Sequence, residues 1–280
     1  MGTVEPREQQ DKQPPAITVE LTNVGVAKIT LNRPKKKNAL TESMYKELSA
    51  MLRSFAKNKS VKVCFITGSG DFYSAGNDLS NFSKVMHPLT MAKQAKDILE
   101  EFVDSFISLG KPLIVAVNGP AIGIAVTLLG LCDRVYCCET AYFKTPFAEL
   151  GQAPEGCSSF TFPRIMGEST AHEMLWDGKV LSSTEAQKTG LVYSVLACDR
   201  LEAVALQYCE ELAAQAEPQS YIVREGLTEK LRLVNRSECA VLQRKWVSKE
   251  CFEALAKFLD TRRMRLPAFF LRQDLFLNYL

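Results

Sequence analysis

The chain has 280 residues, 46% of them hydrophobic, and 34 basic against 32 acidic side chains, for a formal net charge of +2. That length and apolar content can bury a large core, and so small a charge, with no basic stripe interleaved with aromatics, gives no case for nucleic-acid binding. The nine cysteines show no Cys-x-x-Cys pairing, an odd count that points to reduced thiols inside a cell, and two histidines, His87 and His172, supply too few ligands for a catalytic zinc centre.

In chain order, residues 1–15 are polar and Pro-rich and are expected to be a disordered tail. They lack the apolar core of a signal peptide, and their three acidic residues argue against a mitochondrial presequence. Ile17, Val19 and Leu21 alternate, then Ala27, Ile29 and Leu31, the period of half-buried strands. Leu40, Met44, Leu48, Met51, Leu52 and Phe55 follow at helical spacing. Val61–Thr67 reads as a strand running through Gly68-Ser69-Gly70-Asp71 into the small-residue loop Ser74-Ala75-Gly76-Asn77-Asp78. A helix carrying Ala95, Ile98, Leu99, Phe102 and Phe106 ends at Gly110-Lys111-Pro112.

Residues 113–132 are an apolar run long enough to pose the question of a membrane span. Asn118-Gly119-Pro120 answers it, because an interior proline breaks a continuous helix. Leu113–Val117 then reads as a buried strand, Ile124–Leu131 as the start of a core helix, and Ala121-Ile122-Gly123 as a second loop that lets backbone approach a ligand. From residue 198 the pattern is helical only, with Leu201, Val204, Ala205, Tyr208 and Leu212 on one face.

The two loops, in this order and about 45 residues apart, resemble the enoyl-CoA hydratase/isomerase (crotonase) superfamily, whose paired loops form an oxyanion hole around a thioester carbonyl. Ile29-Thr30-Leu31-Asn32-Arg33-Pro34 and Asn38-Ala39-Leu40 match the family's opening strand and turn. Gly151-Gln152-Ala153-Pro154-Glu155-Gly156-Cys157-Ser158-Ser159 resembles the corresponding run of peroxisomal-type Δ3,Δ2-enoyl-CoA isomerases. The resemblance implies an α/β crotonase spiral of ββα units over residues 16–197, and a helical region over 198–260 that mediates assembly into a homotrimer or a dimer of trimers. It also implies an acyl-CoA thioester substrate, with coenzyme A as part of the substrate and no separate cofactor or metal.

The site residues follow by carry-over. The hydratases activate water with two glutamates, and the matching positions here are Thr127 and Phe147, neither able to act as a base. Glu155 remains as the single carboxylate a double-bond shift needs. The backbone N–H groups of Asn77 and Ile124 are the expected oxyanion donors, within loops Ser74–Asp78 and around Gly123 that hold the substrate. Phe143, Phe147 and Phe160 are expected to wall the pocket, Glu149 to be a surface residue, and Asp78 to brace its loop. Lys35 and Lys36, in the run Arg33–Lys37, are expected to meet coenzyme A phosphates. Cys157 invites a nucleophile reading, but the sequence places neither histidine beside it.

The resemblance thins at the end of the chain, where residues 261–280 form an atypical extension. Relatives close on a Ser-Lys-Leu-type peroxisomal address; here Met264-Arg265-Leu266 is internal, which puts peroxisomal import in doubt and leaves mitochondrial or cytosolic residence open. Some relatives carry an acyl-CoA-binding domain ahead of the isomerase, and residues 1–15 are not expected to hold one. The function expected is isomerisation of 3-enoyl-CoA to 2-trans-enoyl-CoA in unsaturated fatty acid β-oxidation. The alternatives are a catalytically silent crotonase-fold acyl-CoA-binding or scaffold protein, or another enzyme of the fold such as a hydratase.

Overall fold

The computed structural model describes residues 14–82 and 86–261, Phe82 by its backbone alone. Residues 1–13 of the tail, Met264-Arg265-Leu266 and the rest of the extension from 262 lie outside the described residues.

Nine strands are present among the described residues: β1 (Ile17–Leu21), β2 (Val26–Leu31), β3 (Val63–Gly68), β4 (Leu113–Val117), β5 (Ala121–Ile122), β6 (Arg134–Cys138), β7 (Tyr142–Lys144), β8 (Leu181–Ser182) and β9 (Ser194–Leu196). The helices are α1 (Glu42–Lys57), α2 (Pro88–Ile107), α3 (Ile124–Thr127), α4 (Ser158–Met166), α5 (Glu168–Leu175), α6 (Ser183–Lys188), α7 (Leu201–Ala213), α8 (Tyr221–Arg224), α9 (Thr228–Lys245) and α10 (Lys249–Thr261). A six-stranded sheet runs β1-β2-β3-β4-β6-β9 and a smaller one β5-β7-β8.

Only β1 is antiparallel in the large sheet; β2, β3, β4, β6 and β9 pair in parallel, with a crossover between each and the next. Parallel strands are covered on both faces, so their sequences run apolar without alternating. VCFITG in β3 and LIVAV in β4 are such runs, and every residue of β4 is buried.

The strand expected over Val61–Thr67 runs Val63–Gly68, and two further boundaries beside the site differ from the sequence reading. Helix α1 starts at Glu42 because Thr41 caps it, its side chain accepting from Met44 N. Leu40 therefore sits outside the helix and bridges to Asn77. Ile124–Leu131 is one α-helical turn followed by a tighter 3-10 turn over Leu128–Leu131, which lets the chain re-enter the sheet at Arg134.

The terminal helices share the core of the sheet. Helix α7 lies against β3, β4 and β6, and α9 packs along α2. Helix α10 makes a second apolar cluster, in which Phe252, Leu255 and Leu259 meet Met91 of α2. No helix of the described residues is long and apolar enough to cross a membrane.

Candidate active site

Parallel neighbours end on the same side of a sheet, so the loops that leave β3 and β4 emerge side by side, where α/β folds commonly place ligands. Hydrogen bonds sew the two loops together. Ser74 N donates to Pro120 O (3.3 Å), and Ile122 N to Ser74 O (3.0 Å). Asn118 accepts from Gly68 N (3.0 Å) and donates to Gly70 O (2.7 Å), while buried Asn38 donates to Ser69 O (2.9 Å) and Phe72 O (2.7 Å). The Ser74 hydroxyl donates to Asn38 O (2.8 Å) and accepts from Gly76 N (3.1 Å).

Gly76 is where the loops come closest. Its φ is 78°, and a Cβ there would lie 2.5 Å from Ile122 O, so only glycine fits. The next amide, Asn77 N–H, and the first amide of α3, Ile124 N–H, donate to no protein acceptor among the described residues. For Ile124 this follows from position, since the first N–H groups of a helix have no partner inside it.

Glu155 sits on the loop leading into α4, fixed by Ser158, whose N–H (3.1 Å) and hydroxyl (2.7 Å) donate to its carbonyl. The half-buried side chain lines a pocket with Asn77, Tyr45, Met91, Ile98, Leu99 and Trp246. Burial pushes its carboxyl up to about 8, and the negative charge of Glu238 adds to the effect. Tyr45, packed edge-on to Phe102 at 4.6 Å, stays a neutral hydroxyl, its pKa raised by burial and by the charge on Glu155.

The loops and Glu155 meet through the next residue. A Cβ on Gly156 would fall 2.6 Å from Thr127 Oγ1 and 3.5 Å from Ile124 Cδ1, so this backbone lies directly against α3. The structure thus gathers Asn77, Ile124 and Glu155, although buried Ile124 does not itself line the pocket.

Other expected residues fall elsewhere. Phe143, Phe147 and Phe160 do not wall the pocket: Phe143 and Phe147 are fully buried in the core, and Phe160 faces a separate cleft beneath Arg164. The pocket's apolar wall is a face of α2, where Met91, Ala95, Ile98 and Leu99 recur at helical spacing.

Thr127 and Phe147 are buried, and no carboxylate stands at either position. Glu149 is exposed and ion-paired to Lys144 at 2.6 Å. Asp78 braces its loop, pairing with Arg33 at 2.8 Å and accepting from Ser80 N at 3.0 Å. Burial alone would raise its pKa, but the Arg33 and Ser80 hydrogen bonds outweigh burial and hold it low.

Ala75 N donates to Lys37 O (2.8 Å), tying the basic run to the first loop. Of that run, Arg33 is taken up by Asp78 and Lys37 lies over the Phe72 ring, leaving Lys35 and Lys36 exposed on a 3-10 turn outside the pocket lining. Cys157 is buried with its thiol raised by burial, and His172 is exposed on α5 beside Asp177. All nine cysteines are free, and among the described residues no group of three or more His, Cys, Asp or Glu could hold a metal ion.

The sequence reading missed Tyr45, Trp246 and Glu238. Glu238 is buried on α9 and accepts three hydrogen bonds from the turn that follows Glu155: from Cys157 N (2.7 Å), Ser159 N (2.9 Å) and the Ser159 hydroxyl (2.5 Å). Nothing in its local sequence marks it, since a Glu within a polar helix reads as solvated surface.

The architecture is the crotonase fold. It superposes on an enoyl-CoA hydratase/isomerase from Pseudoalteromonas atlantica with a TM-score of 0.79 and 30% identity, covering 90% of this chain and 99% of that one. The sequence profile described as enoyl-CoA hydratase/isomerase matches residues 21–265, and the chain belongs to that family. It is 46% identical over 249 residues to human enoyl-CoA delta isomerase 2, covering 85% of this chain and 62% of that protein. It is also 36% identical over 245 residues to human testis-specific chromodomain protein Y 1, covering 85% of this chain and 45% of that protein. The chain therefore spans less than two thirds of the length of either relative.

Proposed function

We propose that the chain shifts the double bond of 3-enoyl-CoA esters to the 2-trans position, with Glu155 as the sole acid/base. The Glu155 carboxylate takes a proton from C2, and the electron pair of the broken C–H bond delocalises onto the thioester oxygen. The N–H groups of Asn77 and Ile124 meet that oxygen, each such donor being worth about 2.7–4 kcal/mol. Glu155 then returns the proton at C4, leaving the double bond between C2 and C3. Nothing is oxidised, no water is consumed, and the only coenzyme is the coenzyme A of the substrate. Lys35 and Lys36 are free to meet its phosphates.

The observation that carries this reading is Glu155 in the pocket as the carboxylate not held in an ion pair with lysine, as Glu42 is with Lys46, while Thr127 and Phe147 stand where water activation needs its two carboxylates. The similarity to human enoyl-CoA delta isomerase 2 supports it. The similarity to a chromodomain protein favours a second reading, acyl-CoA binding without turnover.

One assay separates them. With a 3-enoyl-CoA, absorbance of the conjugated thioester should appear at once, and Glu155→Gln should lower kcat by about 10²–10⁴ while substrate binding persists. A 2-enoyl-CoA should gain water only at a trace rate. Binding with no conjugation would establish the second reading, and near-normal turnover by Glu155→Gln would remove Glu155 from the mechanism.

A further inference from the structure

Glu238 lies against the turn that follows Glu155, outside the pocket lining, and it is almost fully buried. Buried carboxylates are rare unless paired with a cation, yet among the described residues Glu238 has no ion pair. Burial pushes the Glu238 carboxyl up, and its three partners oppose that: all are donors, Cys157 N–H, Ser159 N–H and Ser159 O–H, the set that suits an ionised, acceptor-only carboxylate. All three belong to the loop-to-helix turn just after Glu155, where Gly156 and Cys157 both adopt left-handed backbone, with φ of 66° and 63°. A turn of that shape needs external anchoring to hold one geometry.

The other titratable groups around Glu155 and Glu238 are neutral or ion-paired. Tyr45 from α1, Cys157 from its own loop and Cys239 from α9 are held neutral, each raised by burial. Glu100 and Lys96 of α2 pair with each other at 2.6 Å, and Glu42, which lines the pocket, pairs with Lys46 at 2.7 Å.

We infer that Glu238 is the positioning residue of the base: it pins the Glu155 turn to α9 through three hydrogen bonds and, held as a carboxylate by those donors, sets a negative charge near the Glu155 carboxyl. The inference rests on Glu155 being the proton carrier. A double-bond shift asks one carboxyl to accept a proton at C2 and hold it until C4 is ready. A nearby negative charge favours the protonated form, so the intermediate state, with the proton on Glu155, survives long enough to be resolved forward.

The test follows the carboxyl titration of Glu155 by carbon NMR on the full chain labelled at glutamate carboxyls, with its signal assigned by its loss in Glu155→Gln. In Glu238→Gln the Glu155 midpoint should fall by about one pH unit, and the acid limb of kcat/KM should move with it. Glu238→Asp keeps the charge and should keep most of the elevation. An unmoved midpoint in Glu238→Gln, with kcat lowered equally at all pH values, would leave Glu238 a structural anchor only and overturn the inference.

Should Glu238→Gln fail to fold, the wild-type titration decides, with the Glu238 signal assigned in Glu238→Asp. Glu238 must then ionise at lower pH than Glu155, and the reverse order would overturn the inference. Because the midpoints are read without substrate, failure of the isomerase reading shows separately, as turnover that survives Glu155→Gln.

Discussion

At the scale of single residues, Glu155 and Asp78 are carboxylates placed in opposite surroundings. Asp78 keeps its charge through Arg33 and Ser80, whereas Glu155 is desolvated and faces Glu238, so its carboxyl is pushed up to about 8. Raising a carboxyl in the folded state has a defined sign in stability. Between the ordinary value of 4.5 and about 8 the native chain binds a proton that the unfolded chain has released, so stability falls as pH rises through that window. Glu155→Gln removes this dependence while approximating the protonated shape. Its melting temperature should match the wild type near pH 5 and exceed it near pH 9, by about 2–4 °C for each kcal/mol released. Thermal denaturation of both proteins across that range checks the sign, and a gap that widened toward acid would contradict the raised pKa.

At the scale of elements, the site depends on two loops held closer than side chains permit. Gly76→Ala would set a methyl against Ile122 O and spread the loops that carry Asn77 and Ile124. We expect a fall in kcat of about 10²–10³, the effect of losing one oxyanion donor, with a lower melting temperature and little change in the pH of the acid limb. Steady-state kinetics on 3-enoyl-CoA reads all three, and unaltered kcat would mean the loops do not form the hole.

These loops were legible in the sequence because the two together, in this order and about 45 residues apart, resemble a family's paired loops, whereas either alone reads as an ordinary turn; Glu155 was singled out because its whole run resembles a family motif. The pocket wall was not. Met91, Ala95, Ile98 and Leu99 form an ordinary amphipathic stripe on α2, and the sequence cannot say whether such a stripe meets a core or a cavity. Phe143 and Phe147 misled for a related reason. They are near Glu155 along the chain, but both are packed into the core rather than turned toward the carboxyl.

At the scale of the whole molecule, the spiral core does not complete the site alone. The terminal helices close it: α9 brings Glu238 against the turn that follows Glu155, Trp246 follows at its end, and α10 packs its apolar face on the first turn of α2. Met91 is the hinge of that arrangement, since it belongs both to the α10 cluster and to the pocket wall. Damage to α10 far from the carboxyl should therefore reach the substrate through Met91. Leu255, 4% exposed within that cluster, is the place to apply it. Leu255→Ala should cost about 2–4 kcal/mol of stability by leaving a cavity. It should also raise KM for acyl-CoA several-fold while leaving the acid limb of kcat/KM in place, because Leu255 packs in the α10 cluster and is not part of the pocket lining that holds Glu155. Chemical denaturation and steady-state kinetics on the same preparation check the pair of effects. A stability loss with KM unchanged would show that α10 only covers the core, and that the wall formed by α2 stands without it.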